Sequence, residues 1–190
     1  PSSLVWNWKR EAQHFLPDLS VLSLDGPDRE KRFAAIPAYR LIITSYALLR
    51  RDIERYKAMT FAAVVLDEAQ HIKNPDSQNA KAACALTAQS RFILTGTPVE
   101  NSLRDLWSLF EFLLPGYLGS RQDFKDRYET PLLNGERGAV WQRLSRRLEP
   151  YLMRRRKQEI LAELPDKIEQ VIEIELSPEQ KTAYTQLQQA

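Results

Sequence analysis

Short apolar runs separated by helical stretches limit this chain to one fold class more strongly than any other feature of its sequence. Residues 41–44 (LIIT) and 62–66 (AAVVL) are apolar without alternation, a pattern typical of strands that are buried on both faces. Residues 21–24 and 91–94 add two further candidate strands. Strands and helices in this order predict an α/β fold, in which crossover helices flank a parallel sheet.

The composition is that of a folded chain without a strong charge bias. The 190 residues are 43% hydrophobic, and 27 basic residues against 25 acidic ones leave a formal net charge of +2. Bulk charge therefore does not bind nucleic acid as a histone does, and any site for a polyanion must be local. The single cysteine, Cys84, excludes an internal disulfide, and two histidines are too few to complete a structural zinc site. No apolar run approaches the ~20 residues of a membrane span, so we expect no membrane partner.

Helical periodicity indicates where the chain packs between these strands. Residues 4–16 place Trp8 on an apolar face that ends before Pro17, which favours a core position for Trp8 over contact with a ligand. Asn74 and Pro75 have the residue types of an N-cap and a first turn, and they predict the start of an alanine-rich helix.

The second half of the chain has a different pattern. Residues 103–114 repeat apolar side chains at helical spacing, whereas residues 115–160 read as short polar helices punctuated by glycine. We interpret the latter as a helical insertion. Residues 172–176 alternate isoleucine or leucine with glutamate, which predicts a half-buried strand.

Two adjacent carboxylates, Asp67 and Glu68, directly follow the apolar run at residues 62–66. Open α/β sheets bind ligands beyond the carboxyl ends of their strands, so both acids are expected to project into that crevice. Carboxylate oxygens suit Mg²⁺, which takes one or two protein ligands and completes its shell with water and phosphate oxygens. Asp67 is then the metal ligand, and Glu68 the base that activates water against a γ-phosphate. Taken alone, the dipeptide is more often the start of a solvated turn.

Two hydroxyls flank a glycine after the last of the candidate strands. Thr95 and Thr97 can hydrogen-bond to a phosphate, a carboxylate or a bridging water, and Gly96 lets a backbone or ligand approach closely. The segment therefore fits a coupling element beside the two acids. An ordinary threonine turn before the next helix explains the same residues equally well.

Several short segments, taken together, carry a family resemblance. They are residues 67–74 (DEAQHIKN), 94–101 (LTGTPVEN), 106–109 (LWSL), 1–11 (PSSLVWNWKRE), 43–46 (ITSY), and 151–157 (YLMRRRK) with 164–167 (LPDK). The set resembles the Swi/Snf family of helicase-like ATPases, within helicase superfamily 2. The resemblance covers nearly the whole chain.

The resemblance implies a RecA-like lobe of a two-lobed motor that uses ATP and Mg²⁺ to move along double-stranded DNA and to remodel proteins bound there. It implies that Asp67 associates with magnesium and that Glu68 is the catalytic glutamate. It places Gln70 and His71 in the nucleotide site. It also implies that Thr95, Gly96 and Thr97, together with Gln70, couple nucleotide state to movement.

The resemblance also implies residues along the DNA backbone, where hydroxyls, amides and cations hold phosphates without reading sequence. These are Ser3, Trp8, Thr44, Ser45, Arg154 and Arg155. The arginines belong to the densest cluster of positive charge, residues 154–157. That cluster contacts DNA, braces the junction between two lobes, or forms a solvated helix face.

One departure from the family pattern is important. The family binds ATP phosphates with a glycine-rich loop ending in Gly-Lys-Thr, and none of the six glycines here is followed by lysine. We therefore expect that loop and its strand to precede Pro1 in the intact protein, and a second RecA-like lobe to follow. The chain by itself is expected not to hydrolyse ATP.

These implications give a domain scheme and a set of alternatives. Residues 1–114 form a partial, first RecA-like lobe, 115–160 a helical protrusion, and 161–190 a linker toward the second lobe. The expected partners are DNA, the second lobe and an unknown DNA-bound protein, in a bacterial cytoplasm at the nucleoid, or in the nucleus of a eukaryote. One alternative is a non-catalytic module for binding DNA or protein with a degenerate ATPase site. A weaker one is a stand-alone metal-dependent phosphohydrolase.

Overall fold

Four short parallel strands support the site. They are β1 (Val21–Ser23), β2 (Leu41–Ile43), β3 (Thr60–Leu66) and β4 (Thr87–Ile93). This computed structural model describes residues 3–97, 103–155, 170, 172, 174 and 176–188, with the side chain of Arg137 left out. The chain divides into two compact units, Pro1–Arg147 and Leu148–Ala190. All four strands belong to the first unit.

The strands pair as two parallel ladders. β1 pairs with β2, with Val21 opposite Leu41, and β3 pairs with β4, with Leu66 opposite Ile93. The predicted α/β class with parallel strands is confirmed. Among the described residues, however, the strands form two separate two-stranded sheets and not one continuous sheet. β4 begins four residues before its predicted start, because pairing with β3 includes polar residues that a search for apolar runs misses.

Helices follow or separate the strands. In the first unit these are α1 (Leu4–Phe15), α2 (Arg29–Arg32), α3 (Tyr46–Arg51), α4 (Ile53–Lys57), α5 (Gln78–Cys84), α6 (Leu103–Leu113), α7 (Arg121–Phe124), α8 (Thr130–Leu133) and α9 (Arg137–Leu148), the last of which ends at the unit boundary; the second unit contains α10 (Pro178–Gln188). A turn of π-helix, Lys125–Glu129, joins α7 to α8. None of the helices described is long and apolar enough to span a bilayer.

α5 begins later than the sequence pattern predicts. Its N-cap is Ser77, whose hydroxyl oxygen accepts a hydrogen bond from the Ala80 amide at 3.1 Å. The side chain of Asn74 instead accepts from the Asp76 amide and stabilises the preceding turn. Both residue types cap helices, so composition alone did not distinguish the two starts.

Two apolar clusters hold the first unit together. One contains Leu22, Leu24 and Tyr56 with residues of α5, and the other packs the end of β3 against α6 through Phe112, which is fully buried. Val64 of β3 contacts both clusters. The two ladders are therefore joined by side-chain packing, and the predicted apolar face of α6 is confirmed.

Two predictions about exposed apolar residues were wrong. Val5 is the buried residue of α1, whereas Trp8 is 41% exposed, with its indole N–H on Asp67. In the second unit, Ile172, Ile174 and Leu176 lie outside regular secondary structure and are exposed; residues 171, 173 and 175 lie outside the described part. Alternation specifies a face, but a strand also needs a partner strand.

A buried ion pair links α2 to the junction of α3 and α4. The guanidinium of Arg29 donates to both carboxylate oxygens of Asp52, at 2.6 and 3.1 Å, and both side chains are almost completely buried. By accepting these hydrogen bonds, Asp52 holds the pKa of Arg29 above its ordinary value. Breaking one side of a buried pair leaves a desolvated charge without its partner.

We therefore expect Asp52→Asn to lower the urea midpoint of unfolding of the 190-residue chain, followed by circular dichroism. The control is Asp28→Asn, which removes an equal charge from the exposed pair with Lys31. Equal midpoints for the two variants would contradict a stabilising role for the buried pair.

Tyr56 makes the free energy of unfolding depend on pH in the alkaline range. Burial raises the pKa of Tyr56 from 10.0 to about 12, so between these values the unfolded chain releases a proton that the folded chain retains. Stability due to this group is therefore complete below pH 10 and declines toward pH 12, by at most ~1.4 kcal/mol per pH unit for one proton. We expect Tyr56→Phe to reduce the loss of unfolding free energy between pH 9 and pH 11 measured in urea. The exposed Tyr39 provides the control variant, Tyr39→Phe, which should leave that loss unchanged.

Candidate functional site

The carboxyl ends of β3 and β4 are joined by backbone hydrogen bonds. The Leu94 amide donates to the Leu66 carbonyl at 2.8 Å, and the Ala69 amide donates to the Leu94 carbonyl at 3.1 Å. Ala69 is fully buried. The residues that follow the two strands are therefore held side by side at one edge, where an open α/β sheet binds its ligands.

Asp67, the first residue after β3, is held by three groups. Its Oδ1 accepts from the Glu68 amide at 2.9 Å, and its Oδ2 accepts from the indole Nε1 of Trp8 at 2.8 Å. Its carbonyl oxygen accepts from the Tyr46 hydroxyl at 3.0 Å. These donors come from β3's own turn, from α1 and from the start of α3, so the aspartate is fixed both at its backbone and at its carboxylate.

Glu68 has a left-handed backbone, with φ of 50° and ψ of 51°. It is the only non-glycine residue with positive φ among those described. Such a conformation costs roughly 1–3 kcal/mol and persists where the surroundings enforce it, often at functional sites. Here it turns the chain immediately after the strand, and the two neighbouring carboxylates have different side-chain partners, Trp8 for Asp67 and Gln70 for Glu68.

A chain of polar contacts runs from Glu68 to the end of β4. Gln70 Nε2 donates to Glu68 Oε2 at 2.8 Å, and Gln70 Oε1 accepts from the Thr95 hydroxyl at 3.4 Å. The Thr97 amide donates to the Thr95 hydroxyl at 3.2 Å, and the Thr97 hydroxyl accepts from Lys73 Nζ at 3.4 Å. The structure thus brings together Glu68, Gln70, Thr95 and Thr97, which sequence reasoning assigned to catalysis and coupling; their roles stay predictions.

Tyr46 is a site residue that sequence reasoning did not single out. Burial, and then the nearby charges of Asp67 and Glu68, raise the pKa of Tyr46 above its ordinary value, which keeps its hydroxyl a donor. Its ring also contacts that of His71, with centroids 4.9 Å apart. His71 itself is exposed at the same edge. The position of Tyr46 just beyond β2 was the available signal, because the ends of parallel strands share one edge of the fold.

The carboxylates suit a magnesium ion that is shared with a phosphate ligand. The described residues contain no group of three or more histidine, cysteine, aspartate or glutamate side chains able to hold a metal. Carboxylate oxygens such as those of Asp67 and Glu68 are ligands that Mg²⁺ takes one or two at a time, with water and phosphate oxygens in its other positions. Nearby, a methyl group added at Gly96 would meet no atom of the described residues within 4 Å.

The residues predicted to contact DNA occupy different surroundings. Ser3 is exposed at the start of α1. Thr44 donates its hydroxyl to the Leu24 carbonyl at 3.0 Å, and the buried Ser45 caps α3 by accepting from the Leu48 amide. Both hydroxyls therefore have partners within the chain, beside Tyr46.

The remaining predicted DNA contacts are one aromatic residue and two cations. Trp8 is partly exposed on α1 with its indole N–H on Asp67. Arg154 and Arg155 are exposed in the second unit. Their contact with DNA stays a prediction.

Comparison with known proteins identifies relatives of this chain. Two are the "Uncharacterized ATP-dependent helicase MG018" of Mycoplasma genitalium, 38% identical over 186 residues, and the "Helicase SWR1" of Mycosarcoma maydis, 37% identical over 207 residues. Each alignment covers 97% of this chain, but only 18% and 11% of the respective relative. The chain thus spans a small part of the length of these relatives.

A solved structure agrees with these relatives. The Sulfolobus solfataricus SWI2/SNF2 ATPase core in complex with dsDNA is 39% identical and superposes with a TM-score of 0.78, over 98% of this chain and 39% of that one. The SNF2-related domain family matches residues 1–190. The chain therefore belongs to the SNF2-related domain family, with the α/β fold of a RecA-like lobe of the SWI2/SNF2 ATPase core.

Proposed function

We propose that the protein containing this chain is an ATP-dependent translocase on double-stranded DNA that remodels protein–DNA complexes, and that this chain supplies part of its ATP site. The observation that carries the proposal is the contact chain from Glu68 through Gln70 to Thr95 and Thr97, beside Asp67 at the ligand-binding edge. Family membership supports it, as do relatives named as helicases and a related core solved with dsDNA.

Asp67 is the residue that would hold Mg²⁺. With each carboxylate oxygen accepting one hydrogen bond, each retains a lone pair for a further partner. A bound Mg²⁺ would neutralise negative charge on the phosphate oxygens of ATP. The glycine-rich loop that binds those phosphates in this family has no counterpart in these 190 residues, so the proposal concerns the intact protein.

Glu68 is the proposed base that removes a proton from the attacking water. Gln70 donates to Oε2 of this carboxylate, which orients it and leaves Oε1 available for water. A positioned base of this kind contributes about 10²–10⁴-fold to rate. Gln70 Oε1 accepts from the Thr95 hydroxyl, so the Gln70 amide connects the Glu68 carboxylate to Thr95. We propose that movement at Thr95 is transmitted to Glu68 through this amide.

DNA phosphates are proposed to lie along Ser3, Thr44 and Ser45 of the first unit and along Arg154 and Arg155 of the second; Trp8, predicted as a further contact, is left out because Asp67 already accepts from its indole N–H. Contacts of this type position the duplex without selecting a sequence, as a motor that moves along DNA requires. The proposed partners also include the second RecA-like lobe and a protein displaced from DNA, and the proposed location is the bacterial nucleoid or a eukaryotic nucleus.

The first test replaces the base. In the full-length protein, Glu68→Gln should reduce DNA-stimulated phosphate release by about 10²–10⁴-fold, because an amide cannot accept the proton from water. ATP and DNA affinity should persist. The control is Glu54→Gln, which makes the same change on an exposed side chain paired with Lys57. Retained phosphate release in Glu68→Gln would remove Glu68 from this role.

The second test breaks the contact chain at its centre. Gln70→Leu keeps the approximate size of the side chain but loses both the donor to Glu68 and the acceptor for Thr95. We expect the amount of third strand released per ATP hydrolysed, measured in a triplex-displacement assay, to fall by about tenfold. This factor corresponds to the loss of one hydrogen bond to a charged group. The control is Gln122→Leu, which removes an exposed contact with Asp126. An equal loss of hydrolysis and displacement in Gln70→Leu would contradict a coupling role.

A further inference from the structure

The indole of Trp8 is placed against the carboxylate of Asp67. Its Nε1–H donates to Oδ2 at 2.8 Å, across 59 residues of sequence. This N–H is the only polar group of a tryptophan side chain, and it can only donate. A hydrogen bond to an ionised acceptor is about twice as strong as one between neutral groups.

Neither role predicted for Trp8 explains this geometry. A core residue would be buried, but Trp8 is 41% exposed. Contact between the indole N–H and a DNA phosphate would require the same donor that Asp67 already occupies. Trp6, two residues before Trp8 on α1, provides a comparison: it is 65% exposed, and the guanidinium of Arg10 lies 5.1 Å from its ring centroid. The contact with Asp67 therefore distinguishes Trp8 from its exposed neighbour.

The hydrogen bond from Trp8 restricts rotation of the Asp67 side chain, which the backbone contacts of Asp67 leave free. Tyr46 and the paired strand ends hold the backbone of Asp67, and the Glu68 amide holds Oδ1. A carboxylate held at one oxygen can still rotate about its side-chain bonds, whereas one held at both oxygens cannot do so without losing a contact. Trp8 supplies the second point.

We propose that Trp8 is a positioning residue, which fixes the Asp67 carboxylate in the orientation that binds the divalent cation. This inference rests on the proposed function of Asp67 as the metal ligand. Residues that hydrogen-bond to a metal-ligating group orient it, and their loss weakens metal binding or activity by about 10–100-fold. The same range is expected on removal of the indole N–H.

The test uses the full-length protein with two replacements of Trp8. Trp8→Phe removes the N–H and part of the ring, and 3-benzothienylalanine at position 8 keeps the bicyclic shape while replacing the N–H by sulfur. Mn²⁺ binding in the presence of ADP is titrated by electron paramagnetic resonance, and DNA-stimulated ATP hydrolysis is measured against Mg²⁺ concentration. The matched control is Trp6→Phe on the same helix.

We expect both Trp8 variants to bind Mn²⁺ about 10–100-fold more weakly. The Mg²⁺ concentration at half-maximal hydrolysis should rise in proportion, with the rate largely recovered at saturating Mg²⁺. DNA affinity should not change, and Trp6→Phe should match the wild type. The benzothienyl variant separates the lost hydrogen bond from any packing defect of Trp8→Phe.

Wild-type Mn²⁺ affinity in both Trp8 variants would overturn the proposal. So would a loss of DNA affinity with unchanged Mn²⁺ affinity, which would make Trp8 a DNA-contact residue. Failure of the proposed function has a different signature, because the wild-type protein would then release no phosphate with DNA. If the wild-type protein hydrolyses ATP and the Trp8 variants bind Mn²⁺ normally, only the positioning role of Trp8 is contradicted.

Discussion

The junction between the ends of β3 and β4 is the constraint on which the site depends. Two backbone hydrogen bonds join these ends, and the left-handed conformation of Glu68 turns the chain away directly after the strand. Buried Ala69 and the apolar cluster beneath it make that turn the favourable one. Packing thus offsets the cost of the left-handed backbone at Glu68, and the two neighbouring carboxylates have separate hydrogen-bond partners.

The two carboxylates are connected to different parts of the first unit. Asp67 is held by α1 and by the start of α3, through Trp8 and Tyr46. Glu68 is connected along Gln70 to the residues after β4. In the ATP-driven motor that we propose, this separation would allow Asp67 to remain with the cation while Glu68 responds to movement. The physical basis is that, among the described residues, the side chains of the two acids have separate partners, and the Glu68 amide, which donates to Asp67, is the link between them.

Local patterns predicted much of the fold. The four strands were located from apolar runs, and α6 from its helical periodicity. The expectation that such strands are buried on both faces was wrong for β3 and β4, since Val65 is 54% and Phe92 53% exposed among the described residues. The signal was weaker wherever the outcome depended on a partner: β4 extends through polar residues because β3 pairs with them, and Ile172 and Ile174 are exposed outside any strand despite their alternation. Capping was ambiguous for a similar reason, since Asn74 and Ser77 are both competent and the surrounding turn selected Ser77.

The sequence by itself determined which chemistry is present: two acids after one apolar run, two hydroxyls after another, and motifs that place the chain in its family. It also determined their approximate position, because the ends of parallel strands share an edge. Only the tertiary structure decided what holds those groups. The contact of Trp8 with Asp67 joins residues far apart in the chain. The hydrogen bond from Tyr46 to Asp67 depends on how the β1–β2 pair packs beside the β3–β4 pair, which form separate sheets among the described residues. Periodicity records which face of an element is apolar, but it carries no information about the distant atom that a single donor will meet.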